Sequence, residues 1–294
     1  MIGKKKKITY ADVILITIMT LWGFVIAYPF YNSILVSFMT QAEFMRKPFA
    51  FFIENPSLAA YKEIFSNNKF FLGYRATLTI LVIKLPLSVL ITAAMAYALS
   101  RKRFPFSKII NNLTIFTMYF GGGTIPLYLL MKQYGLLNSL WSVIIADCFG
   151  VYDMILFKNF FYGIPDSLEE SAKLDGSGDV RIFFQIYMPL AKPILATVSL
   201  FVAVGIWNGW YKAMLYISQP SKWPLQLVLR EVVNNVTATE VNSELTSGAV
   251  KAKETFALNI QMAAVVVTML PIMLVYPFLQ KYFMKGITVG AVKG

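Results

Sequence analysis

The feature that most constrains this chain is a series of six apolar blocks, each long enough to cross a lipid bilayer. A helix needs about 20 predominantly apolar residues to span the hydrocarbon core. The blocks fall at 11–38, 72–99, 108–131, 138–161, 190–216 and 257–280. Their apolar residues run continuously rather than in amphipathic stripes. The chain is 57% hydrophobic and only 14% charged, against about 45–50% and about 25% in a soluble domain. The expected fold is therefore an all-α membrane protein of about six transmembrane helices. Residues 1–294 read as one domain, with no linker, internal repeat or low-complexity tract. Lys4 to Lys7 precede the first block like the basic start of a signal peptide. The block is too long for that role and lacks a small-residue cleavage site, so it is expected to remain as the first span.

Basic residues set the orientation. With the N-terminus inside, the inner segments hold Lys4 to Lys7, Arg101, Lys102, Arg103, Lys108, Lys158, Lys173, Arg181, Lys192, Lys281, Lys285 and Lys293. The outer segments hold fewer, diluted by glutamates. The positive-inside rule then predicts both termini in the cytoplasm. It also makes 162–189 a cytoplasmic loop, with outer loops at 39–71 and 217–256. The second outer loop is long and polar, and reads equally as a binding surface or a mobile connector. The net charge of +12 follows this topology and does not imply a nucleic-acid partner. No histidine is present, which excludes His-based metal sites and His-dependent acid–base chemistry. Cys148 stands alone and permits no intramolecular disulfide.

The loop carries the most specific pattern in the chain. Ser167, Leu168, Glu169 and Glu170 read as a capping box behind Pro165, and the two carboxylates suit a helix N-terminus. A helix of about two turns follows, closed by Gly176 and Gly178. A second short helix is expected from Arg181 to Tyr187, with Pro189 opening the next span. Glu170, Ala172, Gly176, Ile186 and Pro189 stand at the spacing of a known motif. The stretch resembles the EAA-loop signature of ABC importer permeases, with Ser171 and Met188 at two positions where the signature has Ala and Leu. Phe157, Phe160 and Phe161 before the loop and Pro189 to Pro193 after it extend the likeness. So do Trp207-Asn208-x-Trp210 and the tail from Tyr276 to Gly294. Together these resemble the maltose-type (MalG-like) carbohydrate permeases over essentially the whole chain. Gly121 to Tyr128, with Pro224-Leu225-Gln226 and Leu229-Arg230, resemble the oligosaccharide or aldouronate-type branch.

The resemblance implies a type I ABC importer permease in the bacterial cytoplasmic membrane, taking up oligosaccharides or polysaccharide fragments. The loop would insert into a separate ATPase through Glu169, Glu170, Ala172, Asp175, Gly176, Ile186 and Pro189. The implied partners are a second homologous permease, an ATPase dimer, an extracytoplasmic solute-binding protein, the sugar and membrane lipid. No Walker A sequence is present in the chain. The permease is thus expected not to be an enzyme and to bind no cofactor or metal itself, with ATP and Mg on the partner.

Candidates for the substrate path are Trp207, Asn208, Trp210, Tyr211 and Lys84. Trp207, Trp210 and Tyr211 fall at i, i+3 and i+4, on one face of a continuous helix. Aromatic rings suit sugar C–H surfaces, Asn208 suits hydroxyls, and Trp207 and Asn208 lie deepest. The alternative is an interfacial aromatic belt. An intramembrane Lys84 is costly and needs a partner: Asp147 at similar depth is expected first, an acidic sugar second. Gly121 to Gly123 read as a close helix approach, with an opened backbone as the alternative. Two other functional classes remain in view, an ABC permease for a non-sugar solute and a secondary transporter. The latter would carry its own ion site and repeats. A membrane enzyme lacks the residues it would need.

Overall fold

The computed structural model describes residues 9–101, 103–244 and 256–291, with side chains described outside 235–244 and 276–291. Among the described residues every regular element is helical. Chain contacts divide them into two compact units, Met1–Asn67 with Glu231–Leu270, and Asn68–Arg230 with Pro271–Gly294.

In the first unit, α1 (Tyr10–Phe38) opens with the Thr9 N–H donating to the Asp12 carboxylate at 2.8 Å. Val13, Ile14, Leu15, Ile18, Leu21 and Trp22 are all more than half exposed. A helix apolar on every side and bare of protein neighbours faces lipid or another chain. Only its foot is buried, where Leu35, Val36 and Met39 pack with Phe44, Ile53 and Phe256. The segment after it is not a featureless loop. It forms α2 (Gln41–Arg46) and α3 (Ala59–Ser66). Between them the buried Glu43 carboxylate accepts from the Glu54 N–H at 2.6 Å and the Asn55 N–H at 3.2 Å.

The second unit is organised around α4 (Asn68–Ser100), which continues through Pro86. It is followed by α5 (Ser107–Tyr119), α6 (Thr124–Gln133), α7 (Leu140–Ile145) and α8 (Val151–Tyr162). Next come α9 (Asp166–Leu174), α10 (Asp179–Leu190, with a π turn at Phe183–Tyr187), α11 (Lys192–Trp207) and α12 (Tyr211–Tyr216). Val89, Ala93 and Ala96 of α4 form one core with Met154 and Phe157 of α8 and Ile194 and Val198 of α11. Fully covered alanines let helices approach without losing contact. Two further helices, α13 (Leu225–Glu244) and α14 (Ala257–Ala291), run through both units.

The expected apolar blocks are helical, and several of them are broken within the block. Among the described residues, α1, α4 and Ala257–Val275 of α14 are long and apolar enough to cross a membrane, and two bent pairs raise the number to five. The 108–131 block bends by 110° between α5 and α6, at Gly121–Gly123. A Cβ on Gly121 or Gly123 would meet nothing within 4 Å among the described residues, so no helix of this chain packs against them, and they mark where the backbone opens. The 138–161 block breaks at 146–150. The fifth block starts at Lys192, after an 84° bend. Pro189 therefore ends the loop's second helix instead of opening the span. It has no N–H to close its turn and stands two residues after the end of the π turn. The 217–256 segment is largely helical where described, since it holds all of α13.

Candidate functional site

The cytoplasmic-loop candidates form a docked unit whose two faces differ. Helix α9 begins at Asp166, after Pro165 at φ −58°, without a side-chain cap. The expected capping box is thus absent, because proline's fixed φ sets the start two residues earlier, with Pro165 rather than Ser167 at the cap position, and leaves Ser167 inside the first turn. The C-terminus behaves as the sequence implies. Gly176 sits at φ +78°, and its N–H donates to the Lys173 carbonyl while Ser177 N–H reaches Ala172, both at 2.9 Å. This is a Schellman closure, which favours glycine at the left-handed position.

Glu169 is only 6% exposed and faces inward. Its Oε2 accepts from Arg101 Nη1 at 2.7 Å and from the Tyr187 hydroxyl at 3.3 Å. Its Oε1 pairs with Lys173 and lies 3.3 Å from Arg103 Nη2, which also binds Asp179. Arg101, 8% exposed, follows the last turn of α4 and also binds Tyr187, Ser100 Oγ at 3.0 Å and the Phe161 carbonyl at 3.4 Å. Its guanidinium lies 4.6 Å from the Tyr187 ring centre and 5.5 Å from that of Tyr97. Burial alone would raise the Glu169 pKa. The hydrogen bonds from Lys173 and Arg101 and their charges outweigh it, holding the carboxyl at about 2. One buried carboxylate therefore ties α9 to α4, α10 and the Arg103 segment.

The remaining loop candidates divide by face. Glu170, Asp175, Gly176 and Pro189 are exposed. Ala172 and Ile186 are half-buried against the main core, so they hold the loop on its own subunit. Leu174 projects with 89% exposure from the tip of α9.

A cavity of about 470 Å³ lies within the second unit. Lys84 of α4, Asp147 and Gly150 of the α7–α8 break, Asp153 of α8, and Asn208, Trp210 and Tyr211 around the α11–α12 break line it, with Lys212. The two breaks place irregular backbone at membrane depth, which is tolerated where it faces a cavity. The Lys84–Asp147 pair does not form. Lys84 Nζ donates to the Val143 and Ala146 carbonyls at 2.9 and 2.6 Å, and Asp147 pairs with Lys212. The short α7 ends beside Lys84, so the cation meets the carbonyls left open at that helix C-terminus, while the adjacent Asp147 carboxylate is taken by Lys212. The helix face proposed for Trp207, Trp210 and Tyr211 is also interrupted, since α11 ends at Trp207 and Asn208–Trp210 lie outside either helix. A Cβ at Gly209 would lie 3.3 Å from the Gly205 and Ile206 carbonyls. Trp207 turns away and is buried, edge-on to Tyr74 at 6.2 Å. Trp210 takes the Arg230 guanidinium over its ring at 3.7 Å.

Residues 88–289 match the family described as binding-protein-dependent transport system inner membrane component. The chain belongs to this family. It is 40% identical over 272 residues to "Protein LplC" of Bacillus subtilis (strain 168), covering 92% of this chain and 91% of the relative. It is 39% identical over 284 residues to the polygalacturonan/rhamnogalacturonan transport system permease protein YtcP of the same organism, covering 96% and 98%. It superposes with TM-score 0.84 and 28% identity on a chain in the crystal structure of a bacterial ABC transporter involved in the import of the acidic polysaccharide alginate. That match covers 95% of this chain and all of the other. The fold is thus that of a type I ABC importer permease, a non-enzymatic subunit in the inner membrane. Arg101, Arg103, Asp153 and Lys212 were not singled out as site residues from sequence. Each is far along the chain from at least one partner or cavity neighbour, and only the fold brings them together.

Proposed function

We propose that this permease imports oligosaccharides or polysaccharide fragments, supplying half of a translocation pathway and receiving force from a separate ATPase. The reading rests on the two-faced α9. Glu169 fastens its inner face to α4, while Glu170, Asp175 and the protruding Leu174 leave an outer face suited to a partner's groove. The orientation that puts this loop in the cytoplasm follows the distribution of lysine and arginine. The expected assembly adds a second permease, two ATPase copies with ATP and Mg, and an extracytoplasmic solute-binding protein. The carbohydrate cargo is carried over from YtcP, named for polygalacturonan/rhamnogalacturonan transport, and from the alginate-import structure. The aromatic and amide groups at the cavity fit such a cargo.

The test is purification of tagged protein from its native membrane in mild detergent, with bound chains identified by mass spectrometry. An ATPase and a second permease are expected. Recovery of the chain alone, with full transport when reconstituted alone, would overturn the assignment.

A further inference from the structure

Among the charged groups lining the cavity, Asp153 has no ion-pair or hydrogen-bond partner among the described residues. Lys212 is paired with Asp147, and Lys84 spends two of its three donors on the carbonyls that end α7. Asp153 stands in the first turn of α8. A Cβ on Gly150 would fall 2.6 Å from its Oδ2, so the glycine leaves room for the carboxylate. The cavity thus offers a committed set of cations and one uncommitted acceptor. An ionised carboxylate accepts up to about four hydrogen bonds and donates none. Its complement is a donor-rich neutral surface, which the adjacent hydroxyls of a sugar ring provide. Asn208 and Tyr211 on the opposite break add an amide and an exposed ring.

We propose that Asp153 is a substrate-binding residue that accepts sugar hydroxyls, and that the cavity orients any uronate carboxylate of the cargo away from itself. This deepens the carbohydrate-import reading and rests on it. Lys84 is then a positioning residue for α7 and not a uronate receptor.

The experiment uses the complete transporter in proteoliposomes, with β-1,4-galactotriose as a neutral probe and trigalacturonate as an acidic one. For whichever probe the wild type carries, Asp153→Leu is expected to raise KM about tenfold, from the loss of hydrogen bonds to a charged group. Asp153→Asn, which keeps an acceptor, should stay within about threefold of wild type, and Gly150→Ala, which displaces the carboxylate, should fall between. Lys84→Gln should weaken both probes alike. An Asp153→Leu KM equal to wild type would overturn the proposal, as would selective loss of trigalacturonate in Lys84→Gln. A wild type that carries neither probe would overturn the carbohydrate reading and this proposal with it. A wild type that carries one while Asp153→Leu is silent would overturn the proposal alone.

Discussion

Glu169 and Glu170 are adjacent and chemically alike, yet one is 6% exposed and the other faces solvent. Helical geometry turns successive side chains about 100° apart, so only one can meet Arg101. Removing Glu169 leaves Arg101 buried without its counter-charge, a defect worth about 3–5 kcal/mol. Glu169→Ala is therefore expected to lower thermal stability and uncouple the loop, measured as the melting temperature and ATP-driven uptake. Glu170→Ala should leave stability unchanged. The pH dependence follows the same group. Its folded pKa of about 2 lies below the ordinary 4.5. Its contribution is full above about 4.5, falls with pH, and is lost near 2. Hydrogen exchange of α9 amides in detergent should accelerate across that window in wild type, and show no such step in Glu169→Gln. Gly176→Asp is expected to insert and fold, because a Cβ there meets nothing within 4 Å and aspartate is among the residues that tolerate positive φ. Any loss of transport then reports on the partner's approach. Uptake equal to wild type would contradict a docking role for this tip.

At the scale of elements, two broken spans face one cavity, bridged by Asp147–Lys212. Asp147 is 68% exposed and Lys212 29%, so the pair contributes about 0.2–1 kcal/mol and is more telling for transport than for folding. Asp147→Lys and Lys212→Asp should each impair uptake, and the double reversal should restore much of it. No recovery in the double variant would argue against the pairing. Lys84→Met removes the donor from two carbonyls at the end of α7. Each unsatisfied group costs about 1–3 kcal/mol, so a clear fall in melting temperature is expected. Much of this scale was legible in the sequence. The apolar blocks located the helical material, and the spacing from Glu170 to Pro189 located the loop and its Gly176 closure. The breaks were not legible. Hydropathy averages over Ala146–Gly150 and Asn208–Trp210 without registering that Asp147 sits at φ +55° or that a side chain at position 209 would crowd two carbonyls. Long-range pairs such as Arg101–Glu169, 68 residues apart, leave no local pattern at all.

Across the molecule, one helix connects the two sites. Lys84 lines the cavity in the middle of α4, and Arg101 receives Glu169 just beyond its end. At 1.5 Å per residue the separation is about 25 Å. A displacement of α9 by an ATPase would act on α4 through a buried, multiply bonded carboxylate, and through α4 on the α7 end that Lys84 holds. The exposed apolar flank of α1 belongs to the same scale, since on the proposed reading lipid and a second permease subunit would cover it. The most direct test places a photo-crosslinker at Leu174→Cys, in a Cys148→Ser background, in native membranes. The predicted product joins this chain to an ATPase, and it diminishes with Gly176→Asp. Crosslinks only to lipid or to the chain itself would contradict the central claim that α9 is where the motor engages.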